Sequence, residues 1–140
     1  DKSILVAVHD AARPCLDLKD LLGLMEKAQD EIKEDGEGCY LSYQPTESVN
    51  LIKNEKVQKS LDRNDVWLSA TPQVFCLEDL LSALSKANED EKVFTDEVSA
   101  MLHYFNKDIS IHPCNKTNIK VTKKEDLETV EQYLKLAGRI

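Results

Sequence analysis

The first half of the chain changes from an uninterrupted apolar run to apolar positions at helical spacing. Residues 3–8 are rich in valine and isoleucine and do not alternate with polar residues, which is typical of a strand buried on both faces of a parallel sheet. Residues 17–35 place apolar side chains at i, i+3, i+4 and i+7, which predicts a helix. Asp17 is suited to cap its start and Gly36 to end it.

The second half continues the alternation of strands and helices. The pattern predicts strands over residues 39–43, 109–112 and 118–122, and helices over residues 77–88, from residue 95, and after residue 122. Thr95 is expected to cap its helix, and Thr122 with Glu125 has the spacing of a capping box before the last helix. This alternation predicts a layered α/β fold with a mainly parallel sheet.

The segment at residues 45–62 has a different pattern. Two short runs that mix polar and apolar residues, 48–52 and 56–61, flank the turn residues 53–55. This arrangement predicts a β-hairpin with polar faces. Such a hairpin buries little apolar surface by itself, so we expect it to pack against another surface.

Length and charge narrow the class of protein. The 140 residues suffice for one domain, and the net charge of −8 argues against nucleic acid as a partner. The acidity is concentrated in residues 17–37 and 78–97, each with a net charge of −5, whereas the remainder carries +2 and can attract an anion. No apolar run approaches the roughly 20 residues of a membrane helix, and no signal-peptide pattern opens the sequence, so no membrane partner is expected.

The cysteines favour free thiols over a metal site. Cys15, Cys39, Cys76 and Cys114 form no C-x-x-C pair and no cluster with histidine, as a zinc site would require. We therefore expect buried or half-buried thiols in a reducing compartment.

The end of the first predicted strand carries the clearest candidate chemistry. Ligands of α/β sheets bind beyond the carboxyl ends of the strands, and here the chain continues His9-Asp10-Ala11-Ala12-Arg13-Pro14. An acid and a base three residues apart suit a metal ion or hydroxyl on Asp10 and a phosphate on Arg13. The alternative is a strand-end Asp10 that simply pairs with Arg13, and the pattern favours neither interpretation.

Other candidate residues are ambiguous when each is taken alone. Thr71 can bind an oxyanion or serve as a turn or cap residue, and Thr95 has the same ambiguity. Lys120 lies within an apolar run and faces either solvent or a ligand, while Arg63 fits a surface turn. The three histidines form no constellation with a nucleophile, so no catalytic triad or general base is assigned.

Six motifs together resemble the 2-C-methyl-D-erythritol 4-phosphate cytidylyltransferase family. They are residues 8–14, 62–64, 67, 71–75, 95–99, and 118–122 followed by 125–127. They occur in the order and at the spacings of that family and cover almost the whole chain. The resemblance implies a three-layer α/β/α, Rossmann-like nucleotidyltransferase fold of the nucleotide-diphospho-sugar transferase type, with a mainly parallel sheet and a protruding β-hairpin arm at residues 43–62.

The resemblance covers the C-terminal portion of the family's single domain. The family's glycine-rich loop, Leu-Ala-Ala-Gly-x-Gly-x-Arg, wraps the cytidine triphosphate (CTP) and is not found in these 140 residues. Residues 1–140 are therefore expected to be a partial copy of the fold. The complete protein is expected to be an enzyme, and the isolated chain to be inactive.

The resemblance also implies a reaction and a set of site residues. The family converts 2-C-methyl-D-erythritol 4-phosphate and CTP to 4-diphosphocytidyl-2-C-methyl-D-erythritol and pyrophosphate in non-mevalonate isoprenoid biosynthesis. It implies that Lys120 and Asp10 are catalytic, with Lys120 on the α-phosphate and Asp10 on the substrate hydroxyls near the metal. Substrate contacts are implied for Arg13 and Thr71, and a nucleotide contact for Ala11.

The implied partners follow from the same likeness. Mg²⁺ is expected to arrive with the CTP phosphates, with Asp10 as a candidate ligand. The arm at residues 43–62 is expected to form a homodimer, in which Arg63 reaches the partner's substrate phosphate. Ser48 keeps a hydroxyl where the family usually has threonine. The expected compartment is the bacterial cytoplasm or the plastid stroma.

Two alternatives are kept. Ribitol-5-phosphate cytidylyltransferases share several of the motifs, but residues 95–99 favour the methylerythritol enzymes. A non-catalytic dimerising α/β module is the alternative for the isolated chain, because the nucleotide loop is missing.

Overall fold

The computed structural model describes residues 4–105 and 107–140, and within them the fold is a mixed α/β one. The strands are β1 (Leu5–Val8), β2 (Gly38–Tyr43), β3 (Val49–Lys53), β4 (Lys56–Leu61), β5 (Leu68–Cys76) and β6 (Ile109–Pro113). The helices are α1 (Leu18–Lys33), α2 (Leu77–Glu89), α3 (Glu97–Tyr104) and α4 (Asp126–Leu136). Ser3, the first residue of the first predicted strand, lies outside the described residues.

The main sheet has the strand order β1-β5-β2-β6. Strands β1, β2 and β6 run in one direction, which agrees with the predicted mainly parallel sheet. Strand β5 runs the opposite way and lies between β1 and β2, so both of its pairings are antiparallel. The predicted hairpin forms a separate two-stranded sheet of β3 and β4.

Strand β5 is absent from the elements that the sequence pattern predicts, which place Thr71 in a turn or cap before the helix at residues 77–88. It is nevertheless a long strand that is buried from Ala70 to Cys76. Thr71, Pro72 and Gln73 interrupt the apolar pattern, and proline is uncommon inside a central strand. The buried polar groups of this strand are satisfied by specific hydrogen bonds, described below.

Helices cover both faces of the main sheet, so the predicted three layers are confirmed. On one face, α1 packs Leu24 and Ala28 in a cluster with Val74 of β5. On the other, α2 and α3 pack in a cluster that includes Phe75 and Met101. Val74 and Phe75 serve opposite layers because successive side chains of a strand point to opposite faces.

Asp17 caps α1, as predicted, and its side chain accepts a hydrogen bond from the Lys19 amide. Three other local predictions differ from the structure. Asp96, not Thr95, caps α3, because Asp96 has extended backbone and its carboxylate accepts from the Ser99 amide. The predicted capping box of Thr122 and Glu125 is absent at α4. The Asp126 carboxylate takes its place by accepting from the Thr122 amide and hydroxyl.

The third difference concerns residues 118–122, which do not form a strand. The Val121 amide donates instead to the Ala12 carbonyl, 2.8 Å away in the loop after β1. This contact places the segment against the end of β1 rather than alongside a strand.

The predicted free and buried or half-buried state of the cysteines is confirmed in the structure. All four thiols are free, three of them are buried, and Cys114 is half-buried. Among the described residues, no helix combines the length and apolar character needed to cross a membrane.

Candidate functional site

A cleft of about 470 Å³ opens just beyond the carboxyl end of β1. Its walls come from the loop after β1, from β5, from the loop that joins α2 to α3, and from the segment after β6. The lining includes Asp10, Thr71, Lys92, Phe94, Thr95, Asp96, Glu97 and Lys120. Three of the site residues that the resemblance implies, Asp10, Thr71 and Lys120, therefore share one cavity.

Asp10 is the centre of the charge arrangement in this cleft. Its Oδ2 lies 3.1 Å from Lys120 Nζ and accepts a hydrogen bond from Arg13 Nε at 3.3 Å. Burial raises the pKa of the Asp10 carboxyl, but the hydrogen bonds and charges of Lys120 and Arg13 outweigh that effect, so its pKa lies below the ordinary value. Asp10 is therefore an ionised acceptor at neutral pH, flanked by two cations.

Thr71 is held against the loop that carries Asp10. Its Oγ1 accepts a hydrogen bond from the Asp10 backbone amide at 3.0 Å and lies 2.9 Å from His9 Nδ1. These contacts bring the loop after β1 close to β5. The hydroxyl lies at the wall of the cleft but is already engaged by protein groups.

Arg13 lies beside Asp10, as the sequence suggested, but its guanidinium is buried. Besides the contact with Asp10, its NH1 donates to the Asn118 carbonyl at 2.7 Å. Arg13 lines a second cavity of about 940 Å³, together with Ala11 and side chains of α1 and α4, and Asp10 lines both cavities. The Arg13 side chain thus connects the loop after β1 to the segment that carries Lys120.

A further network, which sequence reasoning missed, fixes the start of α3 at the cleft wall. Gln73 is buried in β5; its Nε2 donates to Asp96 Oδ2 at 3.1 Å, and its Oε1 accepts from the Val98 amide at 3.0 Å. Ser69 Oγ donates to the same Asp96 oxygen at 2.9 Å. Burial raises the pKa of Asp96, but hydrogen bonds from the Ser99 amide, Gln73 and the hydroxyls outweigh it, so the pKa is lowered.

The hairpin residues selected from the sequence do not join this cluster within one chain. Ser48 and Arg63 are both exposed at the base of the β3–β4 hairpin, and they line neither cavity. Arg63 NH1 donates to the Thr46 carbonyl at 2.7 Å. Their roles therefore depend on what the hairpin contacts.

Two residues that sequence reasoning did not select also belong to the site. His9 contacts both Thr71 and Arg13, and the signal was its position immediately before Asp10. Asn118 is fully buried, and its Nδ2 donates to the Thr71 carbonyl at 2.9 Å. Its place at the start of the motif at residues 118–122 was the available signal.

Metal ligands are scarce at the site. Within residues 4–105 and 107–140, no group of three or more histidine, cysteine, aspartate or glutamate side chains is arranged to hold an ion. Asp10 offers one carboxylate, and Lys120 and Arg13 already contact it. These residues therefore do not make a cation site on their own.

Comparison with known proteins gives a consistent match over nearly the whole chain. A family model described as 2-C-methyl-D-erythritol 4-phosphate cytidylyltransferase matches residues 1–136. Curated proteins of that name are similar in sequence: the one from Ruthia magnifica is 33% identical over 129 residues, and the one from Petrotoga mobilis is 34% identical over 136 residues. These alignments take in 92% and 97% of this chain, but 52% and 57% of the relatives.

Solved structures agree with the sequence comparison. The crystal structure of the Francisella tularensis 2-C-methyl-D-erythritol 4-phosphate cytidylyltransferase superimposes with a TM-score of 0.82 at 32% identity. The superposition covers 96% of this chain and 61% of that one. The Anaerococcus prevotii 4-diphosphocytidyl-2C-methyl-D-erythritol synthase, at 21% identity and a TM-score of 0.81, supports the fold alone. The chain spans about half the length of the curated relatives it matches.

Proposed function

This chain belongs to the 2-C-methyl-D-erythritol 4-phosphate cytidylyltransferase family, and on that basis we propose that it carries the sugar-phosphate side of such an enzyme's active site. The complete protein would convert 2-C-methyl-D-erythritol 4-phosphate and CTP to 4-diphosphocytidyl-2-C-methyl-D-erythritol and pyrophosphate, a step of non-mevalonate isoprenoid biosynthesis. The observation that carries the proposal is the cluster of Asp10, Arg13 and Lys120 at the carboxyl end of β1. These residues lie within the family match over residues 1–136, and Asp10 and Lys120 line the cleft.

The proposed reaction is a displacement at phosphorus. An oxygen of the sugar phosphate attacks the α-phosphorus of CTP, a new P–O bond forms, and the bond to the pyrophosphate leaving group breaks. Negative charge develops on the oxygens around that phosphorus, and the Lys120 ammonium would neutralise part of it. Asp10 would accept hydrogen bonds from the substrate hydroxyls and so hold the substrate with its phosphate oxygen placed for attack.

Thr71 and Ala11 complete the proposed contacts within one chain. Thr71 would bind the substrate phosphate from the wall of the cleft that it shares with Lys120. Ala11 is exposed beside Asp10, where a small side chain leaves room for the nucleotide. Arg13 would act next to Asp10, holding its carboxylate and adding positive charge.

Mg²⁺ is proposed as a companion of CTP rather than as a resident ion. Magnesium commonly binds proteins through one or two carboxylates and the phosphates of a substrate. The described residues fit that mode, because the Asp10 carboxylate lies beside two cations and no group of three or more ligand side chains among them is arranged to hold an ion. When bound, Mg²⁺ would supply charge neutralisation at the triphosphate.

A homodimer through the arm at residues 43–62 is the proposed assembly. Ile52 and Val57 lie opposite each other on the hairpin, and both are exposed although they are apolar. Opposite residues of an antiparallel pair share one face, so together they present an apolar patch that a second chain can cover. Ser48 and Arg63 would then meet the partner's substrate rather than their own chain's site.

A reducing compartment is proposed, either the bacterial cytoplasm or the plastid stroma. Four free thiols support it, because paired cysteines are typical of oxidising compartments. Measuring the free-thiol content of protein isolated from its native source tests this proposal, and disulfide formation in that material would contradict it.

The function is tested with the complete gene product that carries this sequence and, in parallel, with residues 1–140 alone. CTP is supplied with 2-C-methyl-D-erythritol 4-phosphate or with ribitol 5-phosphate, and pyrophosphate release is followed. We expect turnover of the methylerythritol substrate by the complete gene product and none by residues 1–140. Faster use of ribitol 5-phosphate, or full activity of residues 1–140, would contradict the proposal.

A further inference from the structure

Four residues at the end of β1 are joined in a closed ring of hydrogen bonds. His9 Nδ1 contacts Thr71 Oγ1 at 2.9 Å, and Asn118 Nδ2 donates to the Thr71 carbonyl at 2.9 Å. Arg13 NH1 donates to the Asn118 carbonyl at 2.7 Å, and His9 Nε2 contacts the Arg13 carbonyl at 3.1 Å. We call this arrangement of His9, Thr71, Asn118 and Arg13 the β1-end ring.

The direction of the hydrogen bonds in the β1-end ring follows from the chemistry of its members. A backbone carbonyl can only accept, so His9 Nε2 must carry the proton that it shares with Arg13. In the neutral imidazole Nδ1 is then an acceptor, and the Thr71 hydroxyl donates to it. The Thr71 oxygen in turn accepts from the Asp10 amide. In this arrangement the Thr71 hydroxyl donates to His9, and it can donate to a substrate phosphate only after turning away from Nδ1.

The β1-end ring ties together three segments that are distant in sequence. His9 and Arg13 belong to the loop after β1, Thr71 to β5, and Asn118 to the segment that reaches Lys120 two residues later. Asp10 lies between two ring members in the chain and contacts both Thr71 and Arg13. The separation of Asp10 from Lys120 thus depends on the ring.

His9 is a ring member that lies outside the lining of the cleft. It does not line the cleft that holds Asp10, Thr71 and Lys120, and it faces the second cavity instead. Its two ring nitrogens are both engaged by protein groups. Because both ring nitrogens are already engaged, we infer that an effect of His9 on the reaction passes through Thr71 and the loop of Asp10 and Arg13.

We propose that His9 is a positioning residue for cytidylyl transfer, which holds the Thr71 side chain and the Asp10–Arg13 loop in place through the β1-end ring. This inference rests on the proposed function. Displacing reacting or orienting groups by about 1 Å can lower a rate on the order of 100-fold, so loss of the ring should be visible in turnover.

The first test compares three variants of His9 in the complete gene product. His9→Phe removes both hydrogen bonds, His9→Asn can place an amide oxygen near the position of Nδ1, and His9→Gln can place an amide nitrogen near that of Nε2. We expect kcat to fall roughly 100-fold in His9→Phe, with partial recovery in the two amide variants and an unchanged KM for CTP. His112→Gln, which lies outside the ring, is the matched control and should keep normal kcat.

The outcomes separate the inference from the proposed function. Normal kcat in all three variants of an active wild type would overturn the role of His9 and leave the proposed function intact. A wild type without cytidylyl transfer would contradict the proposed function and, with it, the role of His9 in that reaction. If His9→Phe does not fold, the Asn and Gln variants decide, since each keeps a polar partner in the ring.

A second measurement examines the ring without any assay of activity. Nitrogen-15 NMR of histidine-labelled protein distinguishes the two neutral tautomers of His9. We expect the proton on Nε2, because the Arg13 carbonyl requires a donor there. A proton on Nδ1 would reverse the bond to Thr71 and overturn the ring as described.

Discussion

Lys120 Nζ lies 3.1 Å from Asp10 Oδ2, although the two residues come from opposite ends of the chain. Arg13 shares the same carboxylate oxygen. The side chains of Lys120 and Asp10 remain 48% and 34% exposed, and ion pairs in such positions contribute only about 0–1 kcal/mol to stability. The arrangement therefore contributes little to holding the fold, and its two partners remain accessible to a ligand.

The first prediction concerns Lys120→Ala in the complete gene product. We expect kcat to fall roughly 100- to 1000-fold, because removing a group aimed at developing charge typically costs that much. The free energy of unfolding should change by less than about 1 kcal/mol, since the ion pair is partly exposed. Steady-state kinetics and urea unfolding of the same preparations check both statements.

The matched control is Lys124→Ala, which removes an exposed lysine outside the cleft. This substitution should leave both kcat and the free energy of unfolding unchanged. Near-normal turnover in Lys120→Ala would remove Lys120 from the mechanism. Equal loss of activity in both variants would show that removing any positive charge from this part of the surface lowers activity.

The second prediction concerns the buried amide of Asn118. Asn118→Ala leaves the Thr71 carbonyl without its donor, and an unsatisfied buried polar group costs about 1–3 kcal/mol. We expect the free energy of unfolding to fall by that amount in urea titrations. Asn50→Ala, on the exposed hairpin, should change it by less than about 0.5 kcal/mol. Equal stability of the two variants would show that the contact with Thr71 is dispensable.

The fold was predictable where apolar periodicity is unbroken. Helix α1 and its Asp17 cap follow directly from spacing and composition, and so does the hairpin of β3 and β4. Strand β5 was not predictable in this way, because Thr71 and Gln73 are polar residues buried through tertiary hydrogen bonds. Periodicity measures apolar burial, so it misses a strand whose buried positions are polar.

The site was predictable as a set of residues but not as a geometry. Motif order selected Asp10, Thr71 and Lys120, which the fold brings into one cleft. Gln73 and Asn118 were not selected as site residues, because their function is to satisfy buried backbone groups on other segments. Such contacts depend on which segments meet in space, and local sequence does not contain that information.

The third prediction concerns the pH dependence of the cap on α3. The pKa of Asp96 is lowered in the folded protein, where burial is outweighed by hydrogen bonds from Ser99, Gln73 and Ser69. Its ionised form therefore stabilises the fold at pH values above the ordinary aspartate pKa of about 3.9. That contribution is lost as the pH falls through the lowered value. Caps of this kind are worth about 0.5–2 kcal/mol.

The measurement is urea unfolding of wild type and Asp96→Asn at pH 7, at pH 5 and at about pH 3. We expect wild type to be the more stable at pH 7 and 5, and the difference to shrink at about pH 3. Asp65→Asn, an exposed position, is the control and should show little difference at any pH. A difference that grows on acidification would contradict the lowered pKa.

The last prediction concerns the hairpin as the site of dimerisation. Ile52 and Val57 are 53% and 62% exposed on one face of it, so an aspartate at each position would put charge into any interface that covers them. Ile52→Asp with Val57→Asp should therefore convert a dimer to a monomer in sedimentation velocity, whereas Lys59→Ser should not. Turnover should fall with the dimer, because Arg63 lies outside its own chain's cleft and would serve the partner's. A monomeric wild type, or a dimer in the double variant, would exclude the hairpin as the interface.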